Sequence, residues 1–245
     1  MSTTKLMKLG FTALKSNFAP LSEPYKLTFS ISYWCQSRCL TCGIWEMKPK
    51  GELTLQEIQE FTRKNNHFRW VTITGGEPFM RGDIVEVMRA FKDNCKNLYL
   101  ITTPTNSLCN QDMVINKIEQ IMQMGVPRFS LTLSLDGYRE LHDKIRGVPG
   151  NYDRVIGMAK RIHELRKKYK NLHFIFGYTI SKYNQGQLAK TIEEVGKDLP
   201  FVTPNDFHLN IGQLSDIYYN NSGLDIRPDV NIVAQEVAWM IKASW

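Results

Sequence analysis

Short stretches rich in β-branched and aromatic residues alternate with helical patterns along almost the whole chain. Six stretches have strand-like composition, and the segments between them carry apolar residues every three or four positions. Strict alternation predicts parallel strands joined by right-handed crossovers. Because six units are fewer than the eight of a closed barrel, we expect an α/β fold, a partial (β/α)6 barrel of parallel strands with outer helices. The predicted strands are 26–34, 70–75, 98–105, 128–135, 172–180 and 206–212.

Local signals mark the ends of several predicted helices. Thr54 precedes Glu57 by three residues in "TLQE", which is the spacing of a capping box. Gly125 stops the helix after the third strand, and "RPD" introduces the last helix at Val230. We expect residues 1–24 to form a basic N-terminal helix with a linker, and residues 25–245 to form the barrel core.

Composition narrows the class of protein. With 42% hydrophobic and 22% charged residues, the 245-residue chain has the composition of a folded protein rather than a disordered one. No apolar run is long enough for a transmembrane helix or a signal peptide, so we expect a soluble, cytoplasmic protein. The net charge of +7 is concentrated in residues 1–50 and 141–170. Because no aromatic or glycine-rich nucleic-acid motif accompanies these basic segments, nucleic-acid binding is not expected.

The segment "YWCQSRCLTCGIW" holds three of the five cysteines, Cys35, Cys39 and Cys42. An odd number with three bunched together does not fit a secreted disulfide framework and favours a metal site. Structural zinc needs a fourth ligand, but the nearest downstream histidine, His67, lies beyond a predicted helix. An iron-sulfur cubane held by three cysteines has one iron left for another ligand. The alternative of a structural zinc or nucleic-acid-binding module stays open at this point.

Further motifs follow in order at the carboxyl ends of later strands, where barrel folds place their active sites. "TGGEP" contributes Gly75, Gly76, Glu77 and Pro78, "PTNS" contributes Asn106, "SLDG" contributes Ser134 and Asp136, and "HDKIRG" contributes Arg146. Together with the CxxxCxxC spacing, this pattern resembles the radical S-adenosylmethionine superfamily. The resemblance implies that the three cysteines bind a 4Fe-4S cluster, and that S-adenosylmethionine chelates its fourth iron.

The resemblance also implies how the cofactor is bound. Residues 75–78 would bind the amino group of S-adenosylmethionine, because glycines permit close approach and Glu77 can accept hydrogen bonds from an ammonium group. Residues 177–184 would contact adenine through their backbone, while the position before the third cysteine, aromatic in many members, is Thr41 here. The side chains suited to the ribose hydroxyls are Asn106, Ser134 and Asp136. Arg146 would pair with the carboxylate of the cofactor.

In the implied reaction, one electron from the reduced cluster cleaves S-adenosylmethionine. The resulting 5'-deoxyadenosyl radical abstracts hydrogen from a substrate carbon. A low-potential donor such as flavodoxin or ferredoxin would be needed, oxygen sensitivity is expected, and the basic segment 161–170 is a candidate docking surface.

The match around "SLDGYRELHD" resembles the branch of peptide-modifying and cofactor-building members, which favours a peptide or protein side chain as substrate. The alternative is a small molecule of cofactor, sugar or lipid-linked biosynthesis. That alternative fits the lack of any cysteine after Cys109 and a basic N-terminal helix able to contact a membrane surface.

Several further residues are expected to have structural, incidental or substrate-contact roles. His142 and Asp143 are interpreted as structural, and Cys95 and Cys109 as buried or incidental thiols rather than ligands. No catalytic acid or base is identified. Candidate substrate contacts near the ends of the late strands are Tyr178, His208, Asn210 and Gln213.

Overall fold

The computed structural model describes residues 2–244, with the side chains of residues 3–244. Its centre is one sheet of six parallel strands arranged in chain order. The first and last strands do not pair, so the sheet is curled but not closed, which confirms the expected partial barrel. The strands are β1 (Lys26–Ser32), β2 (Trp70–Gly75), β3 (Leu100–Thr105), β4 (Arg128–Ser134), β5 (Leu172–Ile180) and β6 (Phe207–Ile211).

Helices connect the strands and cover the outside of the sheet. The capping box at Thr54 and Glu57 is present, Gly125 has the left-handed φ of 75° after a helix end, and the Asp229 side chain caps the last helix. The helices are α1 (Ser2–Lys15), α2 (Leu55–Lys64), α3 (Ile84–Asn94), α4 (Gln111–Gln123), α5 (Arg139–Arg146), α6 (Asn151–Lys168), α7 (Leu188–Asp198) and α8 (Val230–Ala243). None of these helices is long and apolar enough to cross a membrane.

The two faces of the strands differ because successive side chains point to opposite sides. Along β4, Phe129, Leu131 and Leu133 are fully buried against the helices and form part of one continuous apolar core. The alternate residues Thr132 and Ser134 line the interior of the barrel. Threonine combines a β-branched shape with a hydroxyl, so it favours the strand while giving the interior a polar wall.

One helix of the fold was not expected from the sequence, and the contacts of another could not be predicted from it. Helix α5 was not predicted, and it fills the connection between β4 and α6 in which Arg146 lies. Helix α1 contacts the body lightly, with Lys8 Nζ donating to Asn97 Oδ1 at 3.2 Å, while Met7 and Phe11 are exposed. The division into residues 1–24 and 25–245 stays a prediction.

Candidate active site

A cavity of about 320 Å³ lies inside the barrel at the carboxyl ends of the strands. It brings together residues that are far apart in the sequence but that the motif pattern had grouped. The predicted site residues in its wall are Cys35, Cys39, Cys42, Gly75, Gly76, Ser134, Asp136 and Arg146, together with Asn210 and Gln213 from the candidate substrate contacts.

The three cysteine thiols face this cavity from the loop after β1. Each is half-buried and free of disulfide bonds. Burial raises the pKa of the Cys42 thiol to about 11, and burial also raises the pKa of Cys35, with the neighbouring Cys39 adding to the effect. Side-chain nitrogens approach two sulfurs: Asn106 Nδ2 lies 3.6 Å from Cys35 Sγ, and Arg146 Nη1 lies 3.6 Å from Cys39 Sγ.

These properties fit an iron-sulfur cluster. Thiolates are costly in this buried loop without a compensating positive charge, which the irons of a cluster supply. Nitrogen donors around the sulfurs are the kind of neighbours that stabilise such clusters. Across residues 2–244, no three His, Cys, Asp or Glu side chains converge closely enough to hold a single metal ion.

The carboxyl end of α5 supports the cysteine loop. A helix leaves its last carbonyl groups without partners inside the helix. Here the N–H of Arg38 donates to the Arg146 carbonyl at 2.9 Å, and the N–H of Leu40 donates to the Ile145 carbonyl at 2.8 Å. Gly147 then has φ 66°, and a Cβ at this position would overlap the carbonyl oxygen of Arg38. The loop between the first two cysteines is thus built onto the end of this helix.

Arg146 is held in place by Asp136. Its Nε lies 2.8 Å from Asp136 Oδ2, although the N–H is not well aligned, so the contact is an ion pair rather than a good hydrogen bond. The other carboxylate oxygen of Asp136 accepts the N–H of Thr179 on β5 at 3.0 Å. The pair fixes the guanidinium between the cysteine loop and the cavity, where it can meet an anionic group of a ligand.

Glu77 lies behind the cavity wall rather than in it. It is only 1% exposed; its Oε2 accepts the N–H of Asn106 at 2.7 Å, and its Oε1 accepts the N–H of Phe79 at 3.2 Å. Burial raises the pKa of this carboxyl to about 7. The side chain therefore ties the end of β2 to the end of β3. Pro78 and Asn106 also lie outside the cavity lining, and Asn106 donates to Ser37 Oγ at 3.0 Å.

Gly75 and Gly76 do face the cavity, and both are required by close packing. Gly75 has φ 128°, and a Cβ there would overlap the Ser32 carbonyl oxygen. A Cβ at Gly76 would overlap the carbonyl oxygen of Trp34, which also accepts the N–H of Glu77 at 2.8 Å. Glycine lets the two loops touch and leaves backbone groups open to a ligand.

A buried hydrogen-bond network joins these parts. One of its members, Asn151, belongs to no sequence motif and could not be predicted. His142 Nδ1 accepts the N–H of Asp136 at 3.1 Å, which leaves Nε2 as the protonated nitrogen facing Asn151 Oδ1 at 3.2 Å. Asn151 Nδ2 donates to the Asn106 carbonyl at 2.8 Å. Burial, assisted by Arg146, lowers the pKa of His142 to about 3. This neutral histidine links the ends of β3 and β4.

The remaining candidate residues differ in whether they face the cavity. Tyr178 is fully buried on the helix side of β5, where its hydroxyl donates to the Asn184 carbonyl at 3.2 Å, while its neighbours Gly177 and Thr179 line the cavity. His208 is exposed and outside the lining. Thr41 does line the cavity, whereas Cys95 and Cys109 do not.

Comparison with known proteins agrees with this geometry. The model of the Radical SAM superfamily matches residues 29–195, which include the cysteine loop and the glycine, aspartate and arginine positions of the cavity. The chain therefore belongs to the Radical SAM superfamily, whose members are S-adenosylmethionine-dependent enzymes. Membership implies a 4Fe-4S cluster and S-adenosylmethionine as cofactors.

Relatives within the superfamily differ in their named activities. An AdoMet-dependent heme synthase of Methanosarcina barkeri is 30% identical over 196 residues, covering 78% of this chain and 52% of the relative. A probable GTP 3',8-cyclase of Thermococcus kodakarensis is 26% identical over 176 residues, covering 70% and 53%. Streptococcus suis SuiB bound to its precursor peptide SuiA has a similar fold, with a TM-score of 0.66 at 18% identity over 95% of this chain and 49% of that one. The chain spans about half the length of these proteins.

Proposed function

We propose that this chain binds a 4Fe-4S cluster through Cys35, Cys39 and Cys42, and uses it to cleave S-adenosylmethionine for hydrogen abstraction from a substrate. The observation that carries the proposal is that three free thiols, two ligand-accessible glycines and a fixed guanidinium line one cavity. When bound, the cluster supplies the electron that breaks the sulfonium bond of the cofactor, and the protein supplies orientation and exclusion of water.

The residues around the cavity have separate tasks in this proposal. The backbone of Gly75 and Gly76 binds the amino end of the cofactor, while Glu77 keeps that backbone in place from behind. Arg146, oriented by Asp136, binds the carboxylate. Ser134 and the backbone of residues 177–179 accommodate the ribose and adenine. Asn106 acts by positioning the loop of Cys35 rather than by touching the ribose, since its side chain is already bonded to Ser37.

A peptide or protein side chain is the substrate class that we favour. Apart from the three cysteines, Asp136 and Arg146 are the only charged residues lining the cavity among residues 2–244. They pair with each other, so the cavity wall beyond the cluster carries no net charge. A neutral, hydroxyl-rich chamber suits a peptide side chain better than a polyanionic small molecule such as GTP. The unpaired edge of β6, beside this chamber, gives an extended segment access from the side.

A small-molecule substrate is the second candidate. It is supported by the heme synthase and GTP cyclase relatives, which match the chain at higher identity than the peptide-bound structure does. The two candidates are separated by adding pooled peptides, GTP or porphyrin precursors to the reconstituted protein. The substrate class is the one that accelerates 5'-deoxyadenosine formation.

The electron donor is proposed to be a low-potential flavodoxin or ferredoxin in a reducing, cytoplasmic compartment. The basic end of α6 is a poor docking surface, because Lys168 pairs with Glu119 at 2.8 Å and lies just before the amino end of β5, opposite the cysteine loop. The exposed Arg38 lies within the cysteine loop itself. Arg38→Glu should slow reduction by an acidic donor protein but not by dithionite, whereas Lys168→Glu should change neither.

The proposed reaction is tested by anaerobic reconstitution with iron and sulfide, followed by dithionite and S-adenosylmethionine. The wild-type protein should form 5'-deoxyadenosine and Cys39→Ala should form none. Cys95→Ala is the matched control, because this thiol is buried in the core away from the cavity. Intact S-adenosylmethionine with the wild-type protein would refute the proposal.

A further inference from the structure

The segment between β6 and α8 packs directly on the cysteine loop. We call residues 213–226 the strap. The N–H of Gly43 donates to the carbonyl of Tyr219 in the strap at 2.8 Å, and Asn220 Nδ2 donates back to the Gly43 carbonyl at 3.2 Å. Cys42 Sγ lies 3.6 Å from the same Tyr219 oxygen. The strap thus forms hydrogen bonds with both the N–H and the carbonyl of Gly43, the residue that follows the third cysteine.

Asn221 holds the residue that precedes the third cysteine. Its side chain is 1% exposed, and Nδ2 donates to the Thr41 carbonyl at 2.8 Å and to the Gln213 carbonyl at 3.0 Å. Its Oδ1 accepts the N–H of Ser215 at 2.8 Å. One buried amide therefore closes the strap on itself and fastens it to the cysteine loop. Burial leaves no water to replace these bonds if the amide is removed.

The contact between strap and loop has no spare room. A Cβ at Gly43 would overlap the carbonyl oxygen of Asn220. The backbone of Asn220 has a φ of 47°. A non-glycine residue with positive φ is uncommon, although asparagine tolerates it better than most. The position of Cys42 is therefore set from outside its own loop, by the backbone of a segment about 180 residues later in the chain.

The strap also forms part of the cavity wall. Gln213, Tyr219 and Ile226 all line the cavity, and Ile226 is 1% exposed with its carbonyl accepting the N–H of Lys182 at 3.1 Å. The same segment thus touches the space proposed for the substrate and the backbone around the third cysteine.

We infer that Asn221 is a positioning residue for Cys42: it fastens the strap to the cysteine loop, so that the third cluster ligand is placed by the segment that also walls the substrate space. This inference rests on the proposed binding of a cluster by the three cysteines. It extends that proposal by assigning a role to a segment outside every motif of the sequence.

The first test follows the strap in the metal-free protein by amide hydrogen exchange. Asn221→Ala should accelerate exchange of the Gly43 amide by about tenfold or more, since it removes the three side-chain hydrogen bonds that hold the strap. Asn221→Gln retains the amide donor and should restore part of the protection. The matched control is Asn171→Ala, which removes an amide that donates to the Val126 carbonyl at 2.6 Å at the opposite end of the sheet. Unchanged Gly43 exchange in Asn221→Ala would overturn the inference.

The second test measures iron per chain and the electron paramagnetic resonance spectrum after anaerobic reconstitution. Asn221→Ala should bind less iron and give an altered spectrum, whereas Asn171→Ala should match the wild type. If Asn221→Ala does not fold, Gly43→Ala tests the same contact from the loop side and should show the same two changes. Wild-type protein without iron would refute cluster binding, while normal iron and spectrum in Asn221→Ala and Gly43→Ala would refute the role of the strap alone.

Discussion

Glu77 and His142 set the geometry of the candidate site without facing its cavity. The carboxylate of Glu77 is bonded to backbone N–H groups at the ends of β2 and β3, and the ring of His142 lies between Asp136 and Asn151. Both side chains replace water as partners of buried polar groups. Their contribution to function is to keep the binding groups at fixed separations.

The buried, neutral state of His142 predicts a pH dependence of stability. In the folded protein burial lowers its pKa to about 3, while the unfolded chain has the ordinary value near 6.5. The unfolded state then binds more protons below pH 6.5, so stability falls as the pH falls from 6.5 towards 3. Between pH 7 and pH 5 this residue should account for a loss of about 2 kcal/mol.

Urea unfolding of the cluster-free protein checks this prediction. His142→Gln should be less stable than the wild type at pH 7 but should lose less stability on acidification, because one titrating group has been removed. His173, whose pKa is lowered to about 4 chiefly by burial, remains in both proteins and leaves some dependence. Equal losses in the two proteins would show that His142 is protonated or exposed in the folded state.

The cysteines could be predicted from the sequence, but the orientation of Glu77 could not. Three cysteines within eight positions form a local sequence pattern, so this pattern can be recognised without knowing how the chain folds. The direction of Glu77 depends on the N–H groups of Phe79 and Asn106, and Asn106 comes from another strand. Asn221 likewise lies in a polar loop whose partner is distant in the chain, so neither spacing nor residue type identified it.

Helix α5 supports the cysteine loop, yet its sequence pattern does not predict a helix. Six of its eight residues in "RELHDKIR" are charged or histidine, so the apolar periodicity that predicts a helix is nearly absent. It is stabilised by tertiary contacts instead, since His142 and Ile145 are buried, and Asp143 accepts the N–H of Tyr152 at 2.8 Å. The other helices have long apolar faces, and their positions were predicted.

Alanine variants of two glycines distinguish support of the cysteine loop by α5 from a general effect of backbone strain. Gly147 and Gly150 have φ 66° and 75°, but only a Cβ at Gly147 would meet the cysteine loop. Gly150→Ala should lose roughly 1–2 kcal/mol of unfolding free energy, because left-handed backbone disfavours alanine. Gly147→Ala should lose more, because its Cβ also meets the carbonyl oxygen of Arg38. Only Gly147→Ala should also lower iron per chain after reconstitution. Equal iron in both variants would mean that α5 does not shape the cysteine loop.

The molecule as a whole is an open barrel with a lightly attached N-terminal helix. Alternating strands and helices predicted the barrel because parallel strands have few other arrangements, whereas the environment of α1 could not be read from local pattern. Met7, Phe11 and Leu14 are 62%, 71% and 59% exposed along this helix, beside lysines. Such a face is suited to an anionic membrane surface.

Sedimentation with vesicles tests whether α1 binds an anionic membrane surface. The chain should sediment with anionic vesicles, and removal of residues 1–20 should abolish sedimentation while leaving the urea midpoint nearly unchanged, because the apolar core begins at β1. Phe11→Glu should have the same effect on sedimentation. Binding that survives either change would remove α1 as the contact.

In the proposed site, three cysteines hold a cluster whose fourth iron is left for S-adenosylmethionine. The most direct measurement is Mössbauer spectroscopy of protein reconstituted with ⁵⁷Fe, recorded with and without S-adenosylmethionine. One iron in four should change its signal when the cofactor is added, and the other three should not. Four equivalent irons that ignore the cofactor, or a protein that binds zinc in place of iron, would contradict the claim.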